Sequence, residues 1–139
     1  MKKIFILLVL MLFLVTGCGS AETTKKDEVV KEREIEVVTI STEDVKEIVD
    51  NYVEYPDIDI VDVRTEEEYK EGHIAGSINI PLEYINDIHI STEREIIVYC
   101  NSGYQSHEAA VKLIELGYEK VKDMGSLSNW DYELEESEY

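Results

Sequence analysis

"EIIVYC", Glu95 to Cys100, is the stretch that most limits the fold. Its apolar residues occupy both alternating positions, so both faces of a strand here must be covered. Such a strand belongs in the interior of a sheet, with further elements packed above and below. The flanking pattern supplies them. "EVVTIS" reads as a short strand, and Ser41 with Asp44 forms an N-terminal cap signature for a helix over Thr42–Val49. "IDIVDV" (Ile58–Val63) is a second strand. Thr65 with Glu68 repeats the cap signature over "EEEYKE", and Gly72 ends that helix. "SINI" (Ser77–Ile80) is a third short strand, stopped by Pro81, with a short helix expected at Leu82–Asn86. After Cys100, a helix is expected from near Ser106. Ala110, Leu113 and Ile114 recur at helical spacing, and Gly117 is its stop. "EKVKDM" (Glu119–Met124) is a last strand, and a short helix should hold Trp130 as a core residue. Strands alternating with helices predict an α/β domain, with a largely parallel central sheet and helices on both faces. Ligand sites in such sheets lie beyond the carboxyl ends of the strands, where Cys100 stands.

The chain outside this pattern reads differently. Lys2 and Lys3 precede an unbroken apolar run, Ile4 to Val15, followed by Thr16-Gly17-Cys18. This is the order of an export signal, and the run is short for a membrane span. Small residues ahead of a cysteine resemble the lipobox of bacterial lipoprotein signals. That resemblance implies cleavage after Gly17, acylation of Cys18, and attachment to the outer side of the cell membrane. Removing residues 1–17 takes away two lysines and no acid, moving the formal charge from −18 to −20. Residues 18–35 are expected to be a lipid anchor and charged tether, or a solvated helix in the same place, and 36–139 the folded domain. An acidic chain without a basic patch is a poor nucleic-acid partner. With Cys18 acylated, Cys100 is the one remaining thiol, so no internal disulfide can form.

The loop after Cys100, "NSGYQS", is small and polar. Gly103 permits backbone conformations that other residues avoid, so the loop can curl with its N–H groups inward. A ring of N–H groups beside a helix N-terminus cradles an anion, and a thiol inside it has its thiolate stabilised. A thiol in a turn is also expected to be more exposed than one in a core. The competing reading is a structural cysteine acting as a small apolar residue. The strand–loop–helix setting favours the nucleophile.

Two separated stretches resemble the rhodanese (sulfurtransferase) family. "DVRTEEEYKEGHIAGSINIP" (Asp62–Pro81) matches its D-V-R, E-[YF] and G-H-I-x-G-[AS]-x-N-[IV]-P pattern. "CNSGYQS", with the helix after it and "GYEKVKDMGSLSNW", matches its active loop, following strand and tryptophan. The resemblance implies a rhodanese-like fold in which Cys100 carries sulfur as a persulfide. The donor would be thiosulfate, polysulfide or a persulfide. The acceptor would be a thiol or a cyanide-like nucleophile, and the donor or acceptor could be a protein. The amides of Asn101, Ser102, Gly103, Tyr104, Gln105 and Ser106 would hold the anionic sulfur. Asp62 and Arg64 would support the loop from beside it, with Arg64 paired to Glu68; the competing reading for both is simple structural pairing, which is the favoured one for Arg64. No cofactor or metal is implied. The chain departs from the family at Gln105, where many single-domain members carry arginine, so its grip on doubly charged thiosulfate is weaker.

Other chemistries fit less well. A C-x5-R phosphatase loop would need arginine at Ser106, and no C-x-x-C dithiol exists. Asp57, Asp59, Asp62 and Glu68 lack the glycine of a calcium loop, and His73, His89 and His107 lack metal-ligand spacing. His73 is expected to be a structural hydrogen-bonder. His107 is placed either at the pocket mouth or on plain surface. The alternative of a different class is a rhodanese-like module that docks a partner without turnover. Cys100 and Gly103 favour the enzyme, and Gln105 leaves room for the module.

Overall fold

The computed structural model describes residues 34–137. The expected leader, the acylation site Cys18 and nearly all of the tether lie outside the described residues. Five parallel strands form one sheet: β1 (Val38–Thr39), β2 (Ile58–Asp62), β3 (Ile78–Asn79), β4 (Glu95–Cys100) and β5 (Val121–Ser126). Their order across the sheet is β1-β5-β4-β2-β3, which puts "EIIVYC" in the centre, hydrogen-bonded on both sides. Helices α1 (Thr42–Asp50), α2 (Glu66–Glu71) and α3 (Tyr104–Glu115) make the connections, with 3-10 turns at Tyr52–Glu54, Leu82–Asp87 and Leu127–Asn129.

The side-chain alternation of β4 divides the interior into two cores. Ile96, Val98 and Cys100 pack with Val61 and Val63 of the β2 end against Ala109, Ala110 and Leu113 of α3 and against Ile85. Ile97 and Tyr99 face the other way, with Ile60, toward Val45 and Ile48 of α1, Ile74 and Trp130. Helices therefore cover both faces, as the sequence predicts. Both caps form as expected. The Ser41 side chain accepts the Asp44 N–H, and Thr65 with Glu68 makes a reciprocal capping box.

Several boundaries shift. The element at Leu82–Asp87 is a 3-10 helix, and Trp130 follows the last 3-10 turn instead of lying within it. Strand β5 runs to Ser126, two residues beyond the predicted end, because it carries a bulge. Val98 pairs with Asp123 and Tyr99 with Gly125, leaving Met124 as the extra residue. Gly125 takes a positive φ of 82° there, and its N–H is held by the Asp123 carboxylate at 2.8 Å.

Candidate active site

The carboxyl ends of β4 and β2 meet at the middle of the sheet, and the predicted loop stands on the first of them. Cys100 is the last residue of β4 and is 0% exposed. This corrects the expectation of an exposed thiol. The side-chain alternation turns Cys100 inward toward α3, so its sulfur lies beneath the loop. Gly103 adopts a left-handed φ of 85° and turns the chain directly into α3. The helix accordingly starts at Tyr104, two residues earlier than predicted. A Cβ at position 103 would sit 3.6 Å from the Gly125 Cα and the Ser126 N, which is ordinary contact. Conformation, and not space, is what requires glycine here.

The consequence falls on the sulfur. The N–H of Gly103 points to Sγ at 3.1 Å and that of Ser106 at 3.3 Å. These are the cap and third positions of α3, which has no side-chain cap of its own. The cysteine sulfur thus accepts the Ser106 N–H, which an N-cap side chain ordinarily satisfies, together with the N–H of the cap residue itself, at the end of the helix that favours negative charge. Among the described residues, Asn101, Ser102, Tyr104 and Gln105 do not bond the sulfur. Ser106 is itself buried, and its hydroxyl donates to the Gly103 carbonyl at 3.1 Å, which fixes the curl. Asn101 and Ser102 are exposed along the rim, as is Tyr104, which is 76% exposed.

Beside the loop, Asp62 and Arg64 are buried at the end of β2. The expected Arg64–Glu68 pair does not form. Arg64 instead clasps Asp62, with Nε 3.0 Å from both carboxylate oxygens and Nη2 2.6 Å from Oδ2. Two residues apart on the strand end, the pair neutralises itself inside the protein, whereas Glu68 is committed elsewhere. Burial works against the charge of Arg64, but the bond to Asp62 and its proximity outweigh that, raising the guanidinium above its ordinary value. Its other donors reach the Gly72 carbonyl at 2.6 Å and the Asn101 side-chain oxygen at 3.2 Å. Glu68 accepts from the Asn101 side-chain amide and closes the capping box on Thr65. The first residue of the active loop is therefore held by both wall residues.

Three contributors went unassigned at the level of sequence. The Asn79 side chain donates to the carbonyls of Asp62 and Arg64 at 3.0 and 2.9 Å, fixing the corner that presents the ion pair. Tyr99 is fully buried; its hydroxyl receives the Ile74 N–H at 3.1 Å and bonds the Ser77 hydroxyl at 3.0 Å. Burial, with the Asp62 charge adding to it, pushes that phenol far above its ordinary value. Ser126 donates to the Asn101 carbonyl from β5. The asparagine lies in the quoted "SINIP" stretch, so its position was visible and its bonds were not. His73 meets its structural expectation, with Nδ1 2.8 Å from the Tyr69 carbonyl and its ring stacked on Tyr69. His107 is largely exposed, 3.8 Å from the Asp123 carboxylate.

Gln105 is exposed and lines a cleft of about 370 Å³ between α3 and the Leu82–Asp87 turn. Larger hollows of about 530 and 540 Å³ lie away from the sulfur, one along α1 and the chain end, one at the amino end of the sheet. Among the described residues no cluster of His, Cys, Asp and Glu could hold a metal.

A parallel α/β domain with a cysteine at the carboxyl end of its central strand, cradled by backbone amides, defines a class of cysteine-loop domains. The chain belongs to the rhodanese-like domain family, whose model matches residues 43–133. It is 39% identical over 74 residues to thiosulfate sulfurtransferase PspE of Escherichia coli, covering 50% of this chain and 70% of that protein. It is 36% identical over 86 residues to thiosulfate sulfurtransferase 16, chloroplastic, of Arabidopsis thaliana, covering 50% and 71%. A solved rhodanese with anions from E. coli superposes with a TM-score of 0.53 at 32% identity, over 58% of this chain and 99% of that one.

Proposed function

We propose that this protein is a sulfurtransferase that carries sulfane sulfur on Cys100. One observation carries the reading: two backbone N–H groups converge on the Cys100 sulfur at 3.1 and 3.3 Å. The Cys100 thiolate attacks the outer sulfur of thiosulfate, polysulfide or an alkyl persulfide. A new S–S bond forms, the donor's S–S bond breaks, and sulfite or the shortened thiolate leaves with the electron pair. The Gly103 and Ser106 amides hold the anionic sulfur before and after. A nucleophilic acceptor, cyanide or a thiolate, then attacks the outer sulfur and releases the Cys100 thiolate, giving ping-pong kinetics. No redox cofactor is needed, because each step passes the sulfane sulfur from one nucleophile to another, the leaving group keeping the electron pair of the broken S–S bond.

The test is the intact mass after incubation with thiosulfate or polysulfide. The protein should gain roughly 32 Da, one sulfur atom, and lose it on adding cyanide. A protein that gains no mass from any of these donors is the partner-docking module instead.

The Val15–Cys18 pattern further supports an anchored protein, working on the outer side of the cell membrane through acylated Cys18. A fatty-acid analogue should label wild type and not Cys18→Ala. A labelled variant, or an unlabelled wild type, refutes the anchor.

A further inference from the structure

The bulge at Met124 brings the end of β5 against the active loop. Ser126 is the register partner of Cys100 on the neighbouring strand. A Cβ on Gly103 would lie 3.6 Å from the Ser126 nitrogen, and the Ser106 hydroxyl is 3.5 Å from the Gly125 carbonyl oxygen. From the β5 side, the Ser126 hydroxyl crosses to the Asn101 carbonyl. Its proton can be placed by counting. A hydroxyl has one hydrogen to donate and two lone pairs. A carbonyl only accepts, so the Ser126 proton goes to Asn101. The Ser128 N–H donates to Ser126 at 3.2 Å, and the Ser128 hydroxyl, 2.6 Å away, then donates as well. Every site on the Ser126 oxygen is used, and each bond strengthens the others.

This arrangement fixes one peptide. The Asn101 carbonyl and the Ser102 N–H share a trans peptide plane and point in opposite directions. With the carbonyl drawn to β5, the N–H faces away from β5. Asn101 and Ser102 are both exposed, so packing does not hold the plane. The Asn101 side chain is tied to Arg64 and Glu68, but the plane can rotate while those ties stay in place. Turned over, it would replace a donor at the edge of the cradle with a carbonyl oxygen. The resting sulfur is insensitive to that change, because its donors are Gly103 and Ser106. A persulfide is sensitive to it, because its charge lies on the outer sulfur, about 2 Å further out.

We propose that Ser126 is a positioning residue for the loaded state. Its hydroxyl keeps the Asn101 carbonyl turned out of the cradle and the Ser102 N–H available to the anionic outer sulfur. The inference rests on the sulfurtransferase reading above and adds the residue that favours the persulfide over the resting thiolate.

Loading from thiosulfate is reversible. Sulfite attacks the outer sulfur, the S–S bond breaks with its electron pair on Cys100, and thiosulfate re-forms. The sulfite-to-thiosulfate ratio at which half of Cys100 carries sulfur therefore reads the stability of the persulfide. It is measured by mass at Cys100 in full-length wild type, Ser126→Ala and Ser126→Thr. Ser126→Ala should reach half loading at a ratio about tenfold lower than wild type, the size of one charge-assisted hydrogen bond. Ser126→Thr keeps the hydroxyl and should recover most of that shift. Alkylation of the resting Cys100 thiol by iodoacetamide should run at the same rate in all three proteins. Alkylation slowed as much as loading is weakened would make Ser126 a merely structural residue and overturn the proposal, as would a threonine variant no better than alanine. A wild type that loads beside an alanine variant with an unchanged ratio removes Ser126 alone. A wild type that takes up no sulfur removes the sulfurtransferase reading, and this use of Ser126 with it.

Discussion

The loop after β4 and the corner after β2 leave neighbouring strands at the same end of the sheet, yet they are built from different bonds. The β4 loop aims backbone N–H groups at a sulfur and has no charged side chain between Asn101 and Ser106. The β2 corner is held by side chains, with a buried Asp62–Arg64 pair, Asn79 across its carbonyls, and Arg64 reaching both Gly72 and Asn101. Amides cannot be titrated away or reoriented without moving the chain, which suits a group that must receive a changing anion. Side-chain clasps suit a wall that must stay put. Damage to the corner should therefore cost stability first, and damage to the loop should cost transfer first.

Arg64→Ala should break this contrast most severely if it is wrong. Removing one member of a buried pair leaves the Asp62 carboxylate without compensation and should destabilise the protein by about 3–5 kcal/mol. Denaturant unfolding measures it. Sulfur loading should persist well below the lowered transition, because Gly103 and Ser106 are untouched.

Gly103→Ala should show the opposite balance. Alanine in the left-handed region costs about 1–2 kcal/mol, and its Cβ meets nothing closer than ordinary contact. The loop can relieve the strain only by turning the Gly103 N–H off the sulfur. The loss in kcat/KM should therefore exceed the loss in stability when both are expressed as free energy. Equal losses would mean that the amide is structural.

Gln105→Arg sharpens the comparison by adding a charge where the loop has none. A charge-assisted hydrogen bond exceeds a neutral one by about 1 kcal/mol, so kcat/KM for thiosulfate should rise about five- to tenfold. The gain should shrink with salt and be much smaller for a weakly charged persulfide. An equal response by both donors would show that position 105 does not set donor choice.

The smallest effect is in alkali. The ordinary phenol value is 10.0, and Tyr99 is raised above it in the folded protein. Above about pH 10 the unfolded chain gives up that proton while the folded chain keeps it, so stability present below pH 10 falls as pH rises. Tyr69 is raised too and adds to the slope. Tyr99→Phe should be less stable at neutral pH and lose stability more gradually above pH 10. An unchanged slope would remove Tyr99 from the account.

Much of the architecture was legible because it follows from local rules. The two-sided apolar run placed β4 in the centre, and Ser41–Asp44 and Thr65–Glu68 signalled both caps. Gly103 marked the turn that aims the amides. What stayed hidden depended on choices among partners in three dimensions. Arg64 had Asp62 two residues before it and Glu68 four residues after it as candidate partners, and burial at the strand end decided for Asp62. The bulge at Met124 lengthened β5 and brought Gly125 and Ser126 against the loop, which apolar spacing does not encode. Cys100 was readable as the loop's key residue and as the last residue of its strand, but its depth follows from the side-chain alternation of that strand, which turns the thiol inward. The tail's return, pairing Glu135 with His73 and packing Leu134 on Gly72, left no signal in a short acidic segment.

The central claim is that Cys100 itself carries the transferred sulfur. Thiosulfate labelled in its outer sulfur is incubated with the protein, excess donor is removed, and cyanide is added in a single turnover. Wild type should deliver close to one labelled sulfur per active chain into thiocyanate. Cys100→Ser should deliver none while unfolding within about 1 kcal/mol of wild type. Labelled thiocyanate formed by the serine variant at the wild-type rate would contradict the account.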